Sequence, residues 1–433
     1  MPDLTVLQTI WFVAIVLLWG LYFVLEGFDF GVGMLMRRVR RDHDDRRVAL
    51  HAIGPTWAAN EVWAVIAVVA MFGAFPGWYG AWASALYVPL TLILLSLILR
   101  NLAIELIGKR DDPRWRLAWE RVLVAASTLA PFLWGMAWSA VVWGIAMKAP
   151  GSADAASAAG ASGGAAASAA GASAGAAADA ARAAAGSLDV TAGPLDVISL
   201  YSVAGGLAYV LLSRAAGAAF LTLRTAEDVH AAAARQLRLA APLAAVAVGG
   251  FLAWTLAAAP GTPGVVGWLA AAGCFVALAT LAIAGLRVAA SAANPGAAVA
   301  NPGAAVAFGA ACAAVALLLV SWFALLFPAG IAGADGGPAL ALADVASGSY
   351  SLWLMTGVTV LLLPLVGGLQ AWSYWLFRHR ITRADVGAPP PSPVDLVARL
   401  AGGRTSADPA AAGPTADTPA VPHGPGFRRR RSS

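Results

Sequence analysis

The sequence predicts an all-α polytopic membrane protein of about nine transmembrane helices, N-terminus outside and C-terminus cytoplasmic. Three observations carry this reading. The 433-residue chain is 60% hydrophobic and only 12% charged, with a mean hydropathy of +0.74, which lies outside the range of soluble domains. Apolar runs of about 20 residues or more, long enough to cross a bilayer as helix, recur along it. Lys and Arg gather after alternate runs, the bias that orients membrane proteins.

The predicted spans are Ile10–Leu35, Trp57–Phe75, Ala81–Ile107, Val122–Met147, Val197–Leu223, Leu239–Ala259, Val265–Val288, Ala304–Phe327 and Leu352–Phe377. Arg37, Arg38, Arg40, Arg41, Arg46 and Arg47 follow the first; Lys109, Arg110, Arg114, Arg116 and Arg121 follow the third. Arg224, Arg235 and Arg238 follow the fifth, Arg287 ends the seventh, and Arg378, Arg380 and Arg383 follow the ninth. All of these fall on one side, which is therefore expected to be cytoplasmic. Lys148 and Arg182 are the exceptions, in the longest outer connection. The first run has no basic segment before it and no small-residue cleavage site behind it, so helix one is expected to serve as both targeting signal and first span.

The transmembrane region is expected over residues 1–383. Within it, 148–196 is rich in Ala, Gly and Ser, with too few bulky apolar groups for a core, and reads as a disordered extracytoplasmic loop. A folded binding loop is the alternative, since long connections can be functional. The heptapeptide Asn294–Ala300 repeats as Asn301–Ala307, and each Asn-Pro-Gly is a turn signal, so the pair reads as an extended cytoplasmic connection. Residues 384–433 read as a disordered cytoplasmic tail whose Arg428–Arg431 cluster is suited to anionic lipid. Cys274 and Cys312 lie in apolar runs without metal-ligand spacing and read as buried small hydrophobes, and no metal site is indicated. Nucleic-acid binding is not supported, because topology explains the net charge of +5.

Chemistry concentrates where acids interrupt apolar runs. Glu26 and Asp29 sit three residues apart in the first span; Asn60 and Glu61 begin the second; Arg100, Asn101 and Glu105 end the third. The predicted topology puts all of them in the cytoplasmic leaflet. Gly27, Gly31 and Gly33 would let a neighbouring helix approach closely. One reading is a structural polar network with Arg100 paired to Glu105 or Glu61. The other is a proton-conducting or quinone-related path, since chains of carboxylates relay protons within membranes. Three carboxylates against one cation tilt toward proton handling. Arg214, within the fifth span, needs a carboxylate, a carbonyl or an anion, and its role stays open. Trp78, Trp82, Trp115, Trp119, Trp372 and Trp375 read as interface anchors. His43, His51, His230, His379 and His423 lie in loops, near interfaces or in the tail, and none is placed for axial ligation of haem.

Glu26–Leu35, Gly54-Pro55-Thr56-Trp57, Asn60-Glu61-Val62-Trp63, Gly108–Arg116, Ala346–Tyr350 and Gln370–Arg378 together resemble subunit II of the cytochrome bd quinol oxidases. The resemblance implies a bacterial inner-membrane terminal oxidase that oxidises membrane quinol and reduces dioxygen to water, with the nine helices arranged as two four-helix bundles plus one additional helix. It implies a haem-bearing subunit I as heterodimer partner, carrying haems b and haem d, with none ligated by this chain. It further implies lipid contact, room for small accessory subunits, a share in proton access, and Trp57 and Trp63 as candidates for dioxygen access or interface. Where the family carries Trp-Asp-Gly-Asn this chain has Trp57-Ala58-Ala59-Asn60, so Glu26, Asp29 and Glu61 are the acids left there. Arg214 also replaces a different polar residue, often His. The alternative from another class is a stand-alone transporter or channel-like protein.

Overall fold

The computed structural model describes residues 4–39, 42–110, 112–148, 189–190, 193, 196–292, 302–334 and 339–387. Among them, nine helices are long and apolar enough to cross a membrane, and the only strands are a pair of two residues each. In chain order the elements are α1 (Val6–Val39), α2 (His43–Ile53), α3 (Trp57–Ala74), α4 (Pro76–Ala85), α5 (Tyr87–Leu106), α6 (Pro113–Trp143), β1 (Met147–Lys148) and β2 (Asp189–Val190). There follow α7 (Leu200–Arg224), α8 (Glu227–Ala258), α9 (Gly264–Ser291), α10 (Pro302–Leu326), α11 (Ser349–Leu376) and α12 (Arg383–Gly387).

Several boundaries differ from the sequence reading for identifiable reasons. The predicted span Ala81–Ile107 is two helices, α4 and α5, joined at Leu86. Pro89 cannot donate to the Ala85 carbonyl and its ring crowds that carbonyl, which favours a break here, although Pro131, Pro242 and Pro364 are carried within α6, α8 and α11. The predicted span from Val122 begins instead at Pro113, where Asp112 caps the backbone of Arg114 at 2.9 Å and proline occupies the first turn. It ends at Trp143 because Gly144 takes φ +116°, so Met147 belongs to a strand rather than to the helix. Helix α8 starts at Glu227, well before Leu239, since the alanine-rich stretch between is strongly helix-forming whether or not it lies in hydrocarbon.

The repeat is also corrected. Pro302–Ala307 of its second copy forms the first turns of α10 rather than an extended connection, and its first copy lies outside the described residues. Antiparallel pairing of Met147 with Val190 and of Lys148 with Asp189 ties together the two ends of the Ala/Gly/Ser-rich loop, whose residues 149–188 lie outside the described set. The expected tail begins as helix, since α12 runs to Gly387; residues 388–433 lie outside the described set.

Helix α1 is the hub. It packs against α3, α6, α7 and α10, and nearly all of its second half is buried. Its approach to α7 depends on glycine: a Cβ at Gly31 would stand 2.7 Å from the Gly217 Cα and collide with the Ser213 carbonyl oxygen. Close backbone contact of this kind is how membrane helices gain packing energy where lipid is as apolar as leucine. Toward its N-terminal end α1 carries Trp19 into an aromatic cluster, 5.9 Å from Trp82, 5.2 Å from Trp134 and 5.3 Å from Trp138 between ring centroids. Trp78 and Trp82 are thus core residues, 0% and 2% exposed, and not the interface anchors their positions suggest. Trp372 and Trp375 do lie exposed. Helix α11 is the least enclosed span; Leu352 is its one buried residue, and it leans on α3 and α1.

Candidate functional site

The hub helix also carries the site. Glu26 and Asp29 are three residues apart on α1, so both face the space shared by α3, α5 and α11, and each is fully buried. A carboxylate enclosed in this way demands a partner, and each finds a different one. Glu26 Oε1 accepts from Nη1 of Arg100, itself fully buried on α5. The guanidinium sits 5.0 Å from the Phe30 ring centroid, one turn further along α1. Asp29 Oδ2 instead accepts from Nδ2 of Asn60 on α3 at 2.7 Å.

Two further links extend the cluster. Glu61 Oε1 lies 3.9 Å from Arg100 Nη1, and its Oε2 accepts from Asn101 Nδ2 at 2.8 Å. The Glu61 side chain keeps 21% exposure, so it is the rim of the cluster, while Glu26 and Asp29 are its interior. On the other side, Asn60 Oδ1 accepts from Gln370 Nε2 at 2.7 Å and from the Tyr374 hydroxyl at 2.9 Å. Those two contacts dock the loosely held α11 onto the site. Beside Tyr374, Thr56 and Arg224 help to line a cavity of about 10 Å³, room for about one water.

The structure therefore gathers Glu26, Asp29, Asn60, Glu61 and Arg100 into one array. It does not bring Glu105 in; that side chain is exposed on α5, and Arg100 turns to Glu26 rather than to it. Trp63 is buried on α3 at 3% exposure, whereas Trp57 is half-buried and Ala58 faces outward. Arg214 finds its carbonyl on α8, where Gln236 Oε1 accepts from Nη2 at 2.6 Å, and it stands apart from the array. Its neighbours Ser213, Ala215, Ala216 and Gly217 are all buried. Sequence reasoning missed Gln370 and Tyr374 as members. A polar pair at i and i+4 in an otherwise apolar span is the signal that could have found them.

Within the array each carboxylate keeps an oxygen with no hydrogen-bond donor among the described residues: Glu26 Oε2, Asp29 Oδ1 and Glu61 Oε1. Chemically these are positions that can take a proton. Metal ligation is another matter. Among the described residues no group of His, Cys, Asp and Glu is placed to hold a metal. The buried His230 has its Nδ1 2.9 Å from the Thr222 carbonyl oxygen, and His51 and His379 are exposed.

A family model described as cytochrome bd terminal oxidase subunit II matches residues 7–377. The cytochrome bd ubiquinol oxidase subunit 2 of Bacillus subtilis (strain 168) is 30% identical over 380 residues, covering 88% of this chain and 98% of that protein. The cytochrome bd-I ubiquinol oxidase subunit 2 of Escherichia coli (strain K12) is 37% identical over 146 residues, 34% of this chain and 38% of that one. Among solved structures, a chain of the bd oxidase from Geobacillus thermodenitrificans aligns with a TM-score of 0.48 at 10% identity, over 85% of this chain and 97% of that one.

Proposed function

The chain belongs to the cytochrome bd terminal oxidase subunit II family, and from that premise we propose that it is the non-haem-ligating membrane subunit of a quinol:dioxygen oxidoreductase and carries protons toward the reaction. Its partner in this reading is a haem-bearing subunit I, in a heterodimer of the bacterial inner membrane with the arginine-rich side cytoplasmic. The haems b and haem d, on that partner, supply the reduction of dioxygen to water with electrons from membrane quinol.

The observation that carries the proton role is the set of three carboxylates held in one array, each with one oxygen that accepts no hydrogen bond among the described residues. Glu61, at the rim, takes the proton at Oε1. Arg100 lies between Glu61 and Glu26, within ion-pair distance of both, and so holds the two acids in one array. Glu26 then holds the proton at Oε2. Asn60 is a positioning residue: it fixes Asp29 through Oδ2 and leaves Oδ1 as the second proton site, with Tyr374 and the small cavity beside it as the route from the arginine-rich end. In this scheme Glu61, Glu26 and Asp29 stand in for the acid that Ala58 lacks. Trp57 and Trp63 are assigned to interface or dioxygen access, and Glu105 lies outside the route.

The test is oxygen uptake and charge generation with quinol in membranes holding both subunits. The combined Glu26→Gln, Asp29→Asn and Glu61→Gln variant should lose most of both while haem content stays normal. Full activity would reduce the array to a structural network. A colourless, partnerless protein on purification would instead favour a stand-alone transporter.

A further inference from the structure

Away from the polar array, α6 and α7 part to leave an open groove of about 450 Å³ beside the C-terminal end of α1. Its walls are apolar along most of their length: Val124, Leu129 and Phe132 of α6 face Leu207 and Val210 of α7. At one end stand two arginines from different helices, Arg37 in the last turn of α1 and Arg121 in α6. Both are exposed, and neither has an ion pair or hydrogen bond among the described residues. Thr128, the remaining polar group on the wall, already donates to the Val124 carbonyl at 2.7 Å. The groove is thus a trough with a paired positive charge at its mouth and no negative charge to answer it.

The dimensions narrow the occupant. From Arg121 to Phe132 is eleven residues, about 16 Å of helix. That matches about half of the ~30 Å hydrocarbon core, the depth of a single leaflet. A molecule that fits has one anionic head and an apolar tail as long as a leaflet is deep. We propose that this groove binds an anionic phospholipid of the leaflet on the arginine-rich side, with its phosphate between Arg37 and Arg121 and an acyl chain laid along Leu129, Phe132, Leu207 and Val210. The inference goes beyond the oxidase reading and is tested by lipid retention, which that reading does not predict.

The experiment uses the purified complex of full-length subunits, stripped of loosely held lipid in detergent and then titrated with dioleoyl phosphatidylglycerol or dioleoyl phosphatidylcholine. Bound lipid is quantified by mass spectrometry, and the melting temperature is followed in parallel. Phosphatidylglycerol should be retained and should raise the melting temperature, and phosphatidylcholine should do neither. Replacing both arginines, Arg37→Gln with Arg121→Gln, should weaken retention by about thirtyfold, on the order of fivefold for each arginine near an anionic headgroup. Leu129→Trp, which fills the trough and spares the arginines, should also lose the lipid. Equal retention of the two lipids, unchanged retention in the double variant, inorganic phosphate stabilising as well as phosphatidylglycerol, or a quinone recovered from the groove would overturn the assignment. Should the double variant not assemble, the headgroup comparison on the unaltered complex decides the question alone.

Discussion

The side-chain amide of Asn60 donates to the carboxylate of Asp29 at 2.7 Å, and its own carbonyl accepts from Gln370 and Tyr374. One residue on α3 thereby joins α1 to α11, the least enclosed span. Replacing it by Leu, similar in size but without polar atoms, leaves a buried acid and two donors without partners. The expected cost is roughly 3 kcal/mol, since each buried polar group left unsatisfied costs about 1–3 kcal/mol. Thermal melting of the purified complex should show it as a fall of several degrees. Asn60→Asp would place two acids face to face and should do worse.

The Glu26–Arg100 pair makes a different prediction, because both partners are fully buried. Glu26→Met or Arg100→Met alone strands a charge away from water, with an expected loss of about 3–5 kcal/mol. The double variant replaces a buried pair by packing and should be less destabilised than either single one. Additive losses in that cycle would mean that the two side chains do not depend on each other. Oxygen uptake in the folded double variant separates the proton role from the structural one.

How much of this was legible in the sequence depends on the range of the interaction. Hydropathy exposed the nine spans because burial in lipid acts on every residue of a run, and the acids on α1 and α3 stood out for the same reason. Arg100 choosing Glu26 over Glu105 was not legible. Glu105 is near it in sequence but points outward on α5, and the preference arises only from how α5 lies against α1. Trp78 and Trp82 misled in the same way, since a tryptophan near a span end looks alike whether it faces lipid or neighbouring rings. The break at Leu86 has a signal in Pro89, but hydropathy averages over a proline, and Pro131, Pro242 and Pro364 lie within unbroken helices.

Glycine packing offers a paired contrast. A Cβ at Gly31 would collide with the backbone of α7, and rigid backbone cannot yield as a flexible side chain can. Gly31→Ala should therefore cost more than the usual 1–3 kcal/mol of overpacking and lower the yield of assembled complex. Gly309, two turns into α10, has nothing within 4 Å of the same position. Gly309→Ala should be neutral or stabilise by up to about 1 kcal/mol through helix entropy alone. Comparing the two melting shifts checks whether contact at Gly31, rather than glycine content, holds α1 to α7.

Arg383 of α12 reaches Asp42 at 2.9 Å, Asp45 at 2.7 Å and Asp228 at 3.4 Å, drawing the segment after α11 onto the starts of α2 and α8. Backbone bonds run alongside, from Ile381 N to the Arg224 carbonyl at 2.8 Å and from Ala226 N to the Ile381 carbonyl at 3.1 Å. The Asp45 backbone amide, and after it the Arg383 guanidinium, hold the Asp42 carboxyl below the usual carboxylate range. A lowered folded value adds stability that is complete above the ordinary carboxylate pKa, about 3.9, and that is lost as pH falls through the lowered one. Arg383→Gln should thus reduce the melting temperature at neutral pH, and its gap to the unaltered protein should narrow below about pH 4 as Asp42 is protonated. Because Arg383, Asp42 and Asp228 are partly solvated while Asp45 is fully buried, high salt should narrow the gap in part. A gap that ignores both pH and salt would show that the exposed pairs with Asp42 and Asp228 contribute nothing and that Arg383 acts through buried Asp45 or through packing.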